Sequence, residues 1–187
     1  MDVFLLSLIV VFAIALSGRD AFVMAGLAER LGRAPLLLAA GVVCAGLSAA
    51  LMAWLGNALA ALLPYRAAQM LVAFALGCAA VELALPIKPA APAEPTRSLG
   101  AIALVLLARQ VSDAARFVVF AFAALAHLPW VSGLGGALAG AAALWLAWSL
   151  GSAGLARYHL PLWRRLLAIL SAISGVFIGL DARFGVF

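Results

Sequence analysis

The sequence predicts an all-α polytopic membrane protein with six transmembrane helices, arranged as two inverted three-helix repeats. Of its 187 residues, 68% are apolar and 10% are charged, and the mean hydropathy is +1.21. Soluble chains are nearer about half apolar and about a quarter charged. Long runs of Leu, Ala, Val and Gly exclude a transmembrane barrel, whose strands alternate in hydropathy. The third observation is that the order of apolar segments and turns repeats along the chain.

Six apolar segments are separated by turns that contain Pro, Gly and Arg. The first is interrupted by SGRD at 17–20 and is closed by Gly32 and Pro35, and the fourth is interrupted by QVSD at 110–113. At a rise of about 1.5 Å per residue, each segment is near or above the length that spans a bilayer. The segments cover residues 3–28, 36–63, 67–85, 99–126, 130–155 and 166–180.

A hydrophilic cytoplasmic linker at 88–99 divides the chain into halves 1–87 and 100–187. The stretch PIKPAAPAEPTRSLG holds four prolines and the only lysine. In each half a broken apolar run is followed by a Pro turn, a helix of small residues, a second Pro turn and a last helix. LPYRAAQMLVAFALGCA aligns without a gap with LPLWRRLLAILSAISGV. Three helices per half would insert the second half in the opposite sense, as in secondary transporters, although coincidence among Ala/Leu-rich helices stays open.

The basic residues predict the orientation. The turns after the first, third and fifth segments are rich in them, so the positive-inside rule makes that side cytoplasmic and turns both termini outward. The compact, Ala-rich chain with short loops favours a bacterial inner membrane. The net charge of +5 does not indicate nucleic-acid binding, because no basic run is interleaved with aromatic residues. The basic residues of the richer side are Arg30, Arg33, Lys88, Arg97, Arg157, Arg164 and Arg165, against Arg66 and Arg183 on the other.

Polar clusters in the first and fourth segments are the candidate functional site. Ionisable groups at the centre of a bilayer cost about 2.5–3.5 kcal/mol each on insertion scales, so they are functional candidates by default. Gln110 and Asp113 share a helix face beside Ser112, and Ser17 and Asp20 repeat the spacing. If the halves are related by an in-plane axis, the clusters meet and form an oxygen-rich site. Ca²⁺ and Mn²⁺ prefer such ligands.

A purely structural role for the same residues stays open. Arg109 and Arg116 lie four residues before and three after Asp113, and Arg19 precedes Asp20. Such pairs can neutralise buried charge and fix the helix register. Glu82, near the end of the third segment, is expected at a membrane interface, where solvation is cheap.

The arrangement resembles the six-helix divalent cation/proton antiporters, which include manganese and calcium exporters of Golgi, chloroplast and bacterial membranes. That family carries a Glu-x-Gly-Asp-(Lys/Arg)-(Thr/Ser) motif in the first and fourth helices of inverted repeats. Segment lengths, Pro and Arg turns, and LAERLGRAP after the first cluster carry the resemblance over nearly the whole chain. In the second half the motif falls on QVSDAA, where Gln110 replaces Glu, Ser112 replaces Gly and Asp113 matches Asp.

The first-half motif falls on ALSGRD, in which Ala15 stands for Glu and Arg19 for the basic residue. A shifted alignment gives Asp20 the Asp position at the cost of spacing. A full family site would hold four acids, and the clusters of this chain hold at most two. Carboxylate charge supplies most of the affinity for a divalent cation, so the resemblance implies a weakened site.

The resemblance implies a secondary transporter that exchanges Mn²⁺ or Ca²⁺ for protons. Asp113 would be the principal ligand and would alternate between proton and metal, because a ligating carboxylate must be deprotonated. The predicted metal ligands are Asp113, Gln110, Ser112, Asp20 and Ser17.

Two other functions stay open. The chain could be a non-transporting relative that serves as a membrane scaffold or partner subunit, or the arginines could select an anion. No phosphate loop, HExxH motif or Ser/His/Asp triad occurs in a plausible context, so we expect neither an enzyme nor a resident cofactor. The oligomeric state is left open, a homo-oligomer included.

Overall fold

The computed structural model describes residues 2–87 and 98–185, which form eight α-helices. Local sequence sets several of their ends. Pro35 and Pro129 open long helices at positions where a missing N–H costs no hydrogen bond. Gly32 and Gly185 end helices with left-handed φ angles of 78° and 62°. The helices are α1 Asp2–Leu16, α2 Arg19–Leu31, α3 Pro35–Leu62, α4 Tyr65–Ala84, α5 Leu99–Val111, α6 Ala114–Leu125, α7 Pro129–Leu155 and α8 Leu160–Phe184.

The two polar clusters coincide with two helix breaks, as the sequence predicts. Between α1 and α2 the axis bends by 57°, and Gly18 is extended at φ −76°, ψ 163°. A Cβ atom on Gly18 would lie 3.1 Å from the Ala15 carbonyl oxygen, so a side chain there would crowd the end of α1. Between α5 and α6, Asp113 is extended at φ −85°, ψ 149°. Each break therefore leaves helix ends whose backbone groups need other partners.

Within the described ranges, four helices are long and apolar enough to cross a membrane, namely α3, α4, α7 and α8. The bent pair α1 and α2 makes a fifth candidate span, whereas α5 and α6 are shorter apolar helices. The prediction of an all-helical protein with several apolar helices of membrane-spanning length is confirmed. The six spans and the inverted repeat stay predictions.

The outer surface is apolar along these helices. Large side chains such as Trp54, Phe74, Leu138 and Phe177 are more than half exposed, although soluble monomers rarely expose wide apolar patches. A lipid environment accounts for this distribution, because hydrocarbon solvates these side chains at no cost.

Residues 88–97, which make up most of the predicted linker, lie outside the described residues. The order of helices is the same before and after them. In each half two short helices are followed by two long ones. The short helices pack against a long helix of the other half, so that α1 and α2 contact α7, while α5 and α6 contact α3. Helices α3 and α7 also pack on each other, as do α4 and α8. The first half is therefore interlocked with the second through both pairs of short helices.

Small residues permit close packing between helices. A Cβ atom on Gly136 would overlap the Val119 side chain, and one on Gly175 would lie 3.0 Å from the Ala73 carbonyl oxygen. Because a larger residue at either position would push two helices apart, these glycines serve packing.

Candidate functional site

The two helix breaks open onto one polar cavity of about 200 Å³. It lies where the start of α2, the end of α5 and the start of α6 meet the C-terminal turn of α4. Its lining residues are all polar or charged, although the two core clusters of the bundle are apolar. The lining residues are Arg19, Asp20, Glu82, Arg109, Ser112 and Asp113.

Asp20 is a buried carboxylate of the cavity, with 10% of its side chain exposed. Its position in the first turn of α2 lets the positive end of the helix dipole favour its charge. Arg109 Nε donates to Asp20 Oδ1 at 3.3 Å. Oδ2 is buried without a hydrogen-bond partner among the described residues. One carboxylate oxygen therefore remains able to accept a ligand.

Glu82 is a second acidic residue of the cavity, and its side chain is 15% exposed. Arg19 Nε lies 3.3 Å and Arg164 Nη2 3.4 Å from Glu82 Oε1, while Oε2 is buried without a hydrogen-bond partner in the described part of the chain. The sequence led us to expect Glu82 at a membrane interface with cheap solvation, whereas α4 carries its side chain into the cavity, where 15% of it is exposed. Only its charge in an apolar helix could have indicated a buried role.

Arg164 anchors the α1–α2 break to α4. From the first turns of α8, its Nη1 donates to the Ser17 carbonyl oxygen at 2.9 Å, and its Nη2 donates to the carbonyl oxygens of Glu82 at 2.8 Å and Leu85 at 3.3 Å. These carbonyls stand at helix ends, where no helical N–H is available to them. The sequence placed Arg164 among the basic residues of a cytoplasmic turn and missed this contact.

Asp113 lies at the start of α6 and is the third carboxylate of the cavity. Its backbone carbonyl accepts from the N–H groups of Arg116 at 2.9 Å and Phe117 at 3.3 Å, which begins the helix. Within the ranges that the structure covers, its carboxylate forms no ion pair, since Arg109 joins Asp20 and Arg19 joins Glu82. The pairings of Asp113 with Arg109 and of Asp20 with Arg19, considered from the sequence, therefore do not form.

Behind the cavity lies a buried network of Ser48, Gln110 and Arg116. Arg116 Nε donates to Ser48 Oγ at 2.7 Å, and its Nη2 donates to the Ala45 carbonyl oxygen at 3.2 Å. Ser48 Oγ donates to Gln110 Oε1 at 3.2 Å. A Cβ atom on Gly140 would lie 2.8 Å from Arg116 Nη2, so the guanidinium fits only because α7 has no side chain there.

The structure brings three of the five predicted metal ligands to the cavity. Asp20, Ser112 and Asp113 line it. Gln110 lies behind it in the Ser48 network, and the hydroxyl of Ser17 donates to the Ala13 and Ile14 carbonyl oxygens, both at 3.0 Å.

The chemistry of the cavity is that of three carboxylates and two guanidinium groups. Carboxylate oxygens suit hard divalent cations, and the arginines compete with any cation for the same oxygens. Among residues 2–87 and 98–185, no group of three His, Cys, Asp or Glu side chains is arranged to hold a metal ion. The carboxylates would therefore have to approach one another before they could share a bound cation.

The fold and site define the chain as an all-helical protein with several apolar helices of membrane-spanning length and a charged internal cavity. No family model matches the chain, and neither the curated proteins nor the solved structures give a significant match. The resemblance to divalent cation/proton antiporters accordingly stays a prediction from the sequence.

Proposed function

We propose that the protein is a secondary transporter that exchanges a divalent cation, Mn²⁺ or Ca²⁺, for protons. The observation that carries the proposal is the charged cavity onto which the α1–α2 and α5–α6 breaks open. Buried charge is expensive in an apolar bundle, and broken helices commonly form the ion sites of transporters. Asp20, Glu82 and Asp113 supply the oxygen ligands, and Asp113 alternates between a proton and the metal.

The arrangement of the halves supports alternating access. Short helices of each half pack on a long helix of the other, so movement of one half against the other would change the walls of the cavity. In this proposal the halves are inverted repeats, α5 and α6 together form the sixth span, and both termini face outward from a bacterial inner membrane. Inverted repeats that rock against each other around a fixed site are a common transporter design.

Flux in proteoliposomes tests the proposal. Purified protein is reconstituted with a metal-sensitive dye inside and a pH gradient across the membrane, and Mn²⁺ or Ca²⁺ is added outside. We expect gradient-driven metal uptake by the wild type, loss of uptake in Asp113→Asn, and unchanged uptake in Asp2→Asn, since Asp2 is exposed and outside the cavity. Equal uptake by wild type and Asp113→Asn would contradict the role of Asp113.

A second candidate function is a non-transporting membrane scaffold or partner subunit. It is favoured by the ion pairs of Asp20 and Glu82 with arginines, which neutralise the carboxylates without a bound metal. This function predicts no thermal stabilisation by Mn²⁺ or Ca²⁺ and co-purification of a partner in mild detergent. Metal-dependent stabilisation that Asp113→Asn abolishes would exclude it, and stabilisation by phosphate alone would indicate an anion substrate.

A further inference from the structure

The arginines around the cavity fall into two physical classes. Arg164 and Arg116 are buried, with 6% of the Arg164 side chain and 3% of Arg116 exposed, and both are held by backbone carbonyl oxygens. The side chains of Arg19 and Arg109 are 42% and 41% exposed. Each of these two approaches one carboxylate through Nε, and neither guanidinium donates to a backbone carbonyl in the described part of the chain. The first pair is held by backbone contacts, and the second pair contacts its carboxylates from more exposed positions.

The exposed arginines occupy the oxygens that a cation would need. Arg109 covers one oxygen of Asp20, and Arg19 approaches one oxygen of Glu82. The second oxygen of each carboxylate is buried and has no hydrogen-bond partner among the described residues. An unpaired buried acceptor is unfavourable, so the ion pairs leave both carboxylates only partly satisfied and ready to accept a better ligand.

We propose that Arg19 and Arg109 are tethered counter-ions, which occupy Glu82 and Asp20 in the empty cavity and swing out when a divalent cation enters. The inference rests on the proposed function and deepens it. Two guanidinium groups carry the same charge as one divalent cation, so their replacement leaves the net charge of the cavity unchanged. Long arginine side chains can carry their heads outward to water while their stems stay packed.

This exchange has a consequence for transport. Without the tethered arginines, Asp20 would lose its ion pair and Glu82 would keep only that with Arg164, at a large desolvation cost. With both arginines present, the cavity has a similar charge with and without the cation. The protein can therefore change between its outward-open and inward-open states in either condition. No arginine of the described residues forms an ion pair with Asp113, so Asp113 offers the entering cation its first carboxylate.

Metal affinity of purified wild type, Arg109→Gln and Arg19→Gln tests the inference, with Mn²⁺ and Ca²⁺ titrated separately and followed by thermal stabilisation. Arg157→Gln is the matched control, because Arg157 is exposed beyond α7 and outside the cavity. We expect each cavity variant to bind the metal about fivefold more tightly than the control. The reason is that a partly exposed ion pair, which the metal must break in the wild type, opposes binding by about this factor. Arg19→Gln keeps Arg164 beside Glu82, so this variant remains informative if Arg109→Gln fails to fold.

The outcomes separate the inference from the proposed function. Metal binding by the wild type with equal or weaker binding by both cavity variants would overturn the tethered counter-ions and leave transport standing. No metal effect on any protein at millimolar concentration would overturn both. Binding by the cavity variants alone would overturn both, because the arginines would then hold their carboxylates permanently and would not give way to a cation.

Discussion

Replacing Arg164 with alanine removes the side chain that joins α8 to the ends of α1 and α4. Two of its hydrogen bonds are short, at 2.9 Å to the Ser17 carbonyl oxygen and 2.8 Å to that of Glu82. Hydrogen bonds to a charged group contribute about 1.5–3 kcal/mol each, and a buried acceptor left unpaired costs about as much. With 6% of the side chain exposed, solvent does not compensate for the loss. We therefore expect Arg164→Ala to lower the free energy of unfolding by about 3–5 kcal/mol.

The assay is equilibrium unfolding in mixed micelles by SDS titration, followed by tryptophan fluorescence. Arg165→Ala is the matched control, because it removes the same charge one residue later from an exposed position. Surface substitutions of this kind change stability by about 0.5 kcal/mol or less. If the two variants unfold within about 1 kcal/mol of each other, the hydrogen bonds of Arg164 do not hold the helix ends together, and the argument is refuted.

Two further predictions concern glycines of α7, measured by the same unfolding assay. Gly151→Ala should destabilise the protein by about 1–3 kcal/mol, because Gly151 has φ 69°, ψ −178° and an added Cβ would lie 2.6 Å from Glu29 Oε1. The control Gly46→Ala on α3, where an added Cβ meets open space, should be neutral or slightly stabilising. Equal effects of the two substitutions would contradict the role of the backbone angle at Gly151. Gly140→Val should lower the free energy of unfolding by about 1–3 kcal/mol, because the valine side chain would overpack against Arg116. The control Gly46→Val should lower it by less than about 1 kcal/mol. An equally small effect of valine at position 140 would show that the Arg116 network can rearrange.

Much of the site was predictable because helix breaks are local events. The short polar side chains of Ser17, Ser112 and Asp113 compete for the hydrogen bonds of the helical backbone. Gly18 has no side chain that would crowd the backbone at the first break. The polar residues that interrupt the apolar runs therefore mark the breaks. That both breaks open onto one cavity also agrees with the sequence, which expected the two clusters to meet.

The identity of the contacts was not predictable from spacing along the chain. Arg109 lies four residues before Asp113, yet it pairs with Asp20, which is distant in sequence. The kink at the second break separates α5, which carries Arg109, from α6, which Asp113 begins, so the helical i to i+4 rule does not apply across it. Gln110 and Ser112 lie on opposite sides of the same helix end, and for that reason only Ser112 reaches the cavity.

Composition and hydropathy alone determined the helical class, the apolar outer surface and the positions of the two breaks, since these depend on each residue and its close neighbours. Only the tertiary structure decided that Glu82 joins the cavity, that Arg164 fastens two helix ends, and which arginine neutralises which carboxylate. Those choices depend on how α4 packs on α8 and how the short helices of one half pack on the other. Electrostatic partners in an apolar bundle are set by distance in space, because a buried charge pairs with whatever opposite charge the packing brings within reach.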